Sequence, residues 1–221
     1  GEGGEIGSRV GNNADQVPLT RREPSSQSFK CGANQLLKTV ATVLNEFKDL
    51  IDPKVLPKRR KYLHYYIVGL VDGEGCFSIS IKRQENTRFG WVIDPVFHVT
   101  ESKDHKVVLE ILRRVFGCGR IIPKPGQEES TYVYVVDSRQ NLVEKILPFF
   151  KKHQPIIKQR EFQLFAEIVE GLHKGEHRTL EGFKKLLERA YEASTDRKYK
   201  LSDILFSVER AGASETIRRA P

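Results

Sequence analysis

Between Tyr62 and Gln84 the apolar pattern changes period once, and that change constrains the fold more than any other feature of the chain. Tyr62 to Asp72 is densely apolar and closes on Asp72-Gly73-Glu74-Gly75. Such a run reads as a helix that stops at the glycine cluster, which leaves Glu74 just past its end. Immediately afterwards Phe77, Ile79 and Ile81 alternate with Ser78, Ser80, Lys82 and Gln84, the period of two that marks a strand with one apolar and one polar side. A helix must therefore pass directly into a half-exposed strand. Trp91 to Thr100, rich in β-branched and aromatic residues, supplies the second arm of a hairpin.

The same alternation of elements continues. His105 to Phe116 has helical spacing and ends at Gly117 and Gly119. Arg120 to Ile122 and Thr131 to Val136 read as a second hairpin around Pro123, Pro125 and Gly126. Helices are expected over 141–150, 157–172 and 179–192, with a short one near 201–210. The order α-β-β-α-β-β-α gives an α+β fold: one four-stranded antiparallel sheet, helices on one face, and an open polar face. Upstream, apolar residues recur at helical spacing from Asn34 to Ile51, and 1–28 has the composition of a disordered segment. The expected organisation is thus 1–28, a helical extension over 29–60, the main domain over 61–194 and a basic tail over 195–221.

Charge narrows the partner. The 221 residues carry a formal net charge of +8, with 30% of them charged, which favours a polyanion. Cys31, Cys76 and Cys118 are odd in number, widely spaced and lack a CxxC pair, so a reducing, intracellular setting is expected. No apolar run reaches the ~20 residues of a membrane span, and the polar N-terminus lacks a secretory core.

Gly69 and Gly73 lie four apart on one helix face, where small residues let a second backbone approach closely. The Gly-x-x-x-Gly-Glu-Gly element of residues 69–75 has no second copy in the sequence, so the simplest partner is the same helix of a second subunit across a two-fold axis. Glycines of this kind also serve helix ends and turns. Pairing would bring two Glu74 carboxylates together, an arrangement that repels unless a hard cation such as Mg²⁺ lies between them. Asp72 is expected to brace the helix end.

The segment Ile67-Val68-Gly69-Leu70-Val71-Asp72-Gly73-Glu74-Gly75 resembles the LAGLIDADG signature. Phe97-His98-Val99-Thr100-Glu101 and Phe116-Gly117-Cys118-Gly119-Arg120-Ile121 follow it in the family's order. The resemblance extends over about residues 62–192 and is to single-motif homing endonucleases, with 92–150 most similar to members encoded in ribosomal RNA introns. It implies the homing-endonuclease fold and a homodimer that cuts double-stranded DNA with Mg²⁺, Ca²⁺ being able to substitute without supporting cleavage. It also implies an organellar or prokaryotic origin. Glu74 would be the metal ligand. Lys158, in Ile157-Lys158-Gln159-Arg160, would lie near the scissile phosphates. Glu101 stands where the family usually has a glutamine that orders solvent, a departure that adds negative charge beside the metals. Family members that act as intron RNA maturases, or that bind DNA without cutting, keep a second function open.

On the exposed strand face Ser78, Ser80, Lys82 and Gln84, then Asp94, His98 and Thr100, then Arg120, Lys124 and Thr131 are the candidates for reading base edges. A β-ribbon fits the major groove. Arg88, Lys103 and Lys106 are candidates for phosphate contacts.

Overall fold

The computed structural model describes Thr42, Lys54, residues 60–194 and residues 197–219. The segment 1–28 and the helix expected over 34–51 lie outside the described residues, apart from Thr42, which is helical. Helix α1 (Arg60–Glu74) passes without a loop into strand β1 (Gly75–Arg83), which pairs antiparallel with β2 (Trp91–Ser102). Helix α2 (Lys106–Phe116) leads to β3 (Arg120–Pro123) and β4 (Thr131–Val136). The four strands form one sheet in the order β1-β2-β4-β3, with β1 and β3 at its edges.

The remaining helices are α3 (Arg139–Asn141), which continues through a wider π-helical stretch (Leu142–Ile146) into α4 (Leu147–Lys152), then α5 (Gln159–Lys174), α6 (Leu180–Glu192) and α7 (Leu201–Arg219). Among the described residues this is the α+β order expected from the sequence. The boundaries shift by a few residues at several ends, and two differences stand out. Helix α1 includes Glu74 as its last residue, and α7 is 19 residues long where a short helix near 201–210 was expected.

The direct passage from α1 to β1 depends on Gly75. A Cβ there would lie 2.7 Å from Cγ1 of Val71 and 2.8 Å from its carbonyl oxygen, so any side chain would push the strand off the helix. Along β1 and β2 the odd-numbered residues from Phe77 to Val99 that lie within the strands turn toward the helices. Phe77 sits at the centre, with its ring 5.2 to 5.4 Å from those of Phe97, Phe150, Phe162 and Phe165. Helix α1 contributes Leu63, Ile67, Val68 and Val71 to the same core, and α7 contributes Ile204 and Val208. Trp91 ties α7 to the sheet: its Nε1 donates to Ser207 Oγ at 3.2 Å and its ring meets Tyr199 edge-on. The Thr179 hydroxyl caps α6 by accepting from the Gly182 amide at 3.1 Å.

Candidate active site and nucleic-acid interface

The C-terminal end of α1 is where the fold gathers its functional groups. Lys158 immediately precedes α5 and is 86 residues from Asp72 in sequence, yet its ammonium lies against the end of α1. It donates to the carbonyls of Val71 (3.1 Å), Asp72 (2.8 Å) and Gly73 (3.4 Å). Those carbonyls have no intrahelical partners and form the negative pole of the helix, so a cation there is favourable. The Asp72 carboxylate returns the contact by accepting from the backbone amides of Ile156 (2.8 Å) and Lys158 (3.1 Å). Asp72 therefore braces two elements and has its oxygens committed.

Two charge-assisted hydrogen bonds of this kind contribute about 2 to 3 kcal/mol together. Replacing Asp72 with alanine is expected to lower unfolding stability by that amount in a urea titration. Asparagine, which keeps one accepting oxygen, should cost about half as much. Equal stabilities for all three proteins would show that the brace contributes nothing.

Glu74 ends the helix on its exposed side, and among the described residues its carboxylate has no partner. An acid at a helix C-terminus faces the wrong pole of the dipole. Its position is unfavourable for the isolated chain and leaves both oxygens available. Gly69 and Gly73 lie on the exposed side of the same helix together with Tyr62, Tyr65 and Tyr66, which are 53%, 55% and 42% exposed. A Cβ added at Gly69 or Gly73 would meet nothing within 4 Å, and neither residue has a positive φ. The turn explanation for these glycines therefore fails: both are ordinary helical positions where glycine costs stability and, among the described residues, gains no contact.

Glu101 is on the helix-facing side of β2, opposite Tyr132 of β4. Its carboxylate lies 3.5 Å from His105 Nδ1, and its side chain is 15% exposed. Burial, and then the Glu101 charge, raise the ionisation range of the Tyr66 phenol. Glu101 is thus attached to His105 and to the aromatic side of α1, while Lys158 is engaged with α1 carbonyls.

The open face of the sheet forms rows fixed by strand register. Cys76, His98, Val135 and Arg120 make one row, and Thr100, Val133 and Ile122 another. Ser78 is opposite Val96, Ser80 opposite Asp94 and Lys82 opposite Val92. Two of the cations are held in place: Lys82 by Asp94, and Arg120 by a two-pronged contact with Asp137 at 2.8 and 2.7 Å. That contact keeps the Asp137 carboxyl below its ordinary range. Burial first, and then the Lys124 charge, lower the His98 imidazole, which favours its neutral form with one donor and one acceptor. A cleft of about 550 Å³ runs along β1, lined by Cys76, Ser78, Ser80, Lys158, Glu161 and Lys198 among others.

Comparison with known proteins places this architecture. Residues 67–169 match the LAGLIDADG endonuclease family model. Homing endonuclease I-ApeII from Aeropyrum pernix is 39% identical over 150 residues, which are 65% of this chain and 88% of that protein. The chain belongs to the LAGLIDADG endonuclease family. Its fold is also similar to that of an archaeal intron-encoded homing endonuclease, I-Vdi141I, solved in complex with DNA: the TM-score is 0.66 at 38% identity, covering 70% of this chain and 99% of that one. The meganuclease I-SmaMI, solved on an uncleaved DNA target with calcium ions, gives a TM-score of 0.59 at 30% identity, covering 63% of this chain and 47% of that one.

In this LAGLIDADG endonuclease the structure brings together Asp72, Glu74 and Lys158 at one helix end, and Glu101, two residues past the partner of Gly75 on β2, contacts His105. Sequence reasoning missed His105 as a site neighbour, because Glu101 is on a strand and the contact depends on the helical turn over Lys103–His105. Ser78, Ser80, Lys82, Asp94, His98, Thr100 and Arg120 lie on the open face, with Lys124 and Thr131 at its margin beside them. Two residues are placed differently. Gln84 lies past the end of β1, in the turn, where its amide donates to the Gly90 carbonyl, because the strand stops at Arg83. Arg88 turns toward the helices: its guanidinium donates to the Arg178 carbonyl and covers the Phe89 ring, which gives it a structural role instead of the expected phosphate contact. Lys103 follows β2 in an exposed helical turn, and Lys106 lies over the Tyr132 ring at 4.2 Å. No helix among the described residues is long and apolar enough to cross a membrane.

Proposed function

We propose that two copies of this homing endonuclease pair through the exposed face of α1 and cut both strands of a long, roughly two-fold-symmetric DNA site, with Mg²⁺ held between their Glu74 carboxylates. The observation that carries the reading is the open space over Gly69 and Gly73 among the described residues. Two glycines inside a helix, each costing about 1 kcal/mol against alanine, stand where no described residue approaches them. Close approach of a second helix accounts for that cost. Extents support it as well: one copy of this chain matches 47% of I-SmaMI, so two copies match the extent of that protein.

The donor set fits a hard divalent cation. Glu74 offers exposed carboxylate oxygens. Among the described residues no three His, Cys, Asp or Glu side chains converge on one point, so Glu74 would hold a metal together with further oxygen donors. A second Glu74 and the DNA phosphates are oxygen donors of the required kind. When bound, the metal supplies an activated water and charge stabilisation for phosphodiester hydrolysis. Lys158, fixed against the α1 carbonyls, keeps a positive charge within reach of the same helix end, where negative charge develops on the phosphate. Asp72 fixes the backbone that carries Lys158.

The sheet sets the length of the site. Strand β2 has 12 residues and so spans about 40 Å at ~3.3 Å per residue, about the rise of a dozen base pairs. A pair of sheets would cover roughly twice that. The test is to incubate the protein with duplex carrying candidate intron-insertion sites, ribosomal RNA genes first, in Mg²⁺ and in Ca²⁺. Paired strand cuts in Mg²⁺, with binding alone in Ca²⁺, are expected. Binding to intron RNA with the DNA left intact would replace this reading by a maturase. An archaeal or organellar intron is the setting that fits the relatives.

A further inference from the structure

The open face of the sheet carries apolar side chains that the core does not use. Strand register gathers Val96, Ile122, Val133 and Val135 on this face. None of the four belongs to the helix-side core; Val135 is 8% exposed and the other three are half-buried. Val133 lies between Thr100 and Ile122, and Val135 between His98 and Arg120. Val96, Val133 and Val135 are on the two central strands, and Ile122 is on the edge strand β3. Lys82, paired with Asp94, Arg120, paired with Asp137, and Lys124 belong to the same face. A purely solvated sheet face would place polar residues in the apolar positions. An apolar strip on the open face of a chain of net charge +8 complements a polyanion that has apolar spots on its surface. The major groove of DNA is such a surface, because thymine places a C5-methyl group on its floor.

We propose that Val96, Ile122, Val133 and Val135 select thymine by packing against those methyl groups. The inference rests on the reading that this face lies in the major groove. Valine and isoleucine offer no hydrogen bond to the cytosine amino group or to guanine O6, so those bases would lose solvent contacts without replacement. Thymine gains apolar contact at the same place. The scale also matches. Val133 and Val135 are two residues apart on β4, about 7 Å along the strand, close to two base-pair steps of 3.4 Å. With Val96 one step further, the strip covers about four base pairs in each half-site.

The test uses the full chain in Ca²⁺ and a pool of duplexes with randomised sequence. The retained duplexes are expected to share, in each half-site, a block of about four base pairs in which thymine recurs. Replacing those thymines by deoxyuridine removes only the methyl groups. Each replacement is expected to weaken binding about three- to fourfold, the loss of one buried carbon. Elsewhere in the site the same replacement should have no effect. Val133→Ser, which removes both side-chain methyl groups, should lose the thymine-over-uracil preference at one position. Lys124→Ala should weaken thymine and uracil duplexes equally. A selected site bound equally tightly with uracil, or an unchanged preference in Val133→Ser, overturns the inference and leaves the nuclease reading intact. A pool from which no duplex is retained overturns the DNA-reading face itself, and this inference with it.

Discussion

Glu74→Gln abolishes strand cleavage, by at least about a thousandfold, while DNA binding stays within about twofold of the parent. The glutamine keeps the shape of the side chain and removes its charge. A neutral amide is a poor ligand for a hard divalent cation, and one substitution in each of two chains removes both anionic ligands that a shared site would have. Loss of the charge stabilisation that a metal gives a phosphoryl transition state costs about 4 kcal/mol, equivalent to that thousandfold. Binding is spared because the base-reading groups lie on the sheet and Glu74 lies at the helix end. Its carboxylate also has no partner among the described residues, so the folded chain loses no contact. Removal of an acid from the negative pole of α1 should raise the unfolding midpoint slightly. Plasmid linearisation, gel shift in Ca²⁺ and thermal melting of the same preparation separate the three effects. Full cleavage by the variant would remove Glu74 from the site, and a lowered midpoint would show that it holds the fold.

Much of this was legible before any coordinates, because local pattern carried it. The change from helical to alternating spacing at 72–77 marks the α1–β1 junction, and Phe77 begins the apolar side of β1 as its alternation requires. Pattern fails where a segment is apolar throughout. Tyr132 to Val136 gives no sign of which residues face the helices, so Val133 and Val135 could be assigned to the open face only once the register with His98 and Thr100 was known. Contacts between distant residues are equally hidden. Nothing near Asp72 in sequence indicates that its carboxylate holds the amides of Ile156 and Lys158. Helix α7 reads weakly because among its described side chains only Ile204 and Val208 bury fully, and Trp91 and Tyr199 from other segments take part in its docking. The departure at Glu101 was visible, whereas its attachment to His105 depends on how the chain turns after Ser102.

Gly69→Leu with Gly73→Leu makes the single chain more stable and the nuclease inactive, a pair of effects that few core substitutions could produce together. Among the described residues both positions are open, with no atom within 4 Å of a new Cβ. Leucine at each should therefore gain about 0.8 to 1 kcal/mol of helix preference and clash with nothing. Across a two-fold axis the same side chains stand where two backbones must nearly touch, and each substitution occurs twice. Overpacking by 1 to 3 kcal/mol at each site would weaken association by several orders of magnitude. Sedimentation should then report the 25.3 kDa chain alone at concentrations where the parent sediments at roughly twice that mass. Urea titration should show a higher midpoint, and cleavage should fall to background because the two Glu74 carboxylates no longer meet. If the variant still associates and cuts, α1 is not the pairing surface, and the exposed tyrosines and glycines on it need another explanation. If it is monomeric but less stable, the open space over the glycines is filled by part of the same chain. The combination of a firmer fold with lost activity is the signature of residues kept for a partner, because among the described residues these glycines cost stability and make no contact in return.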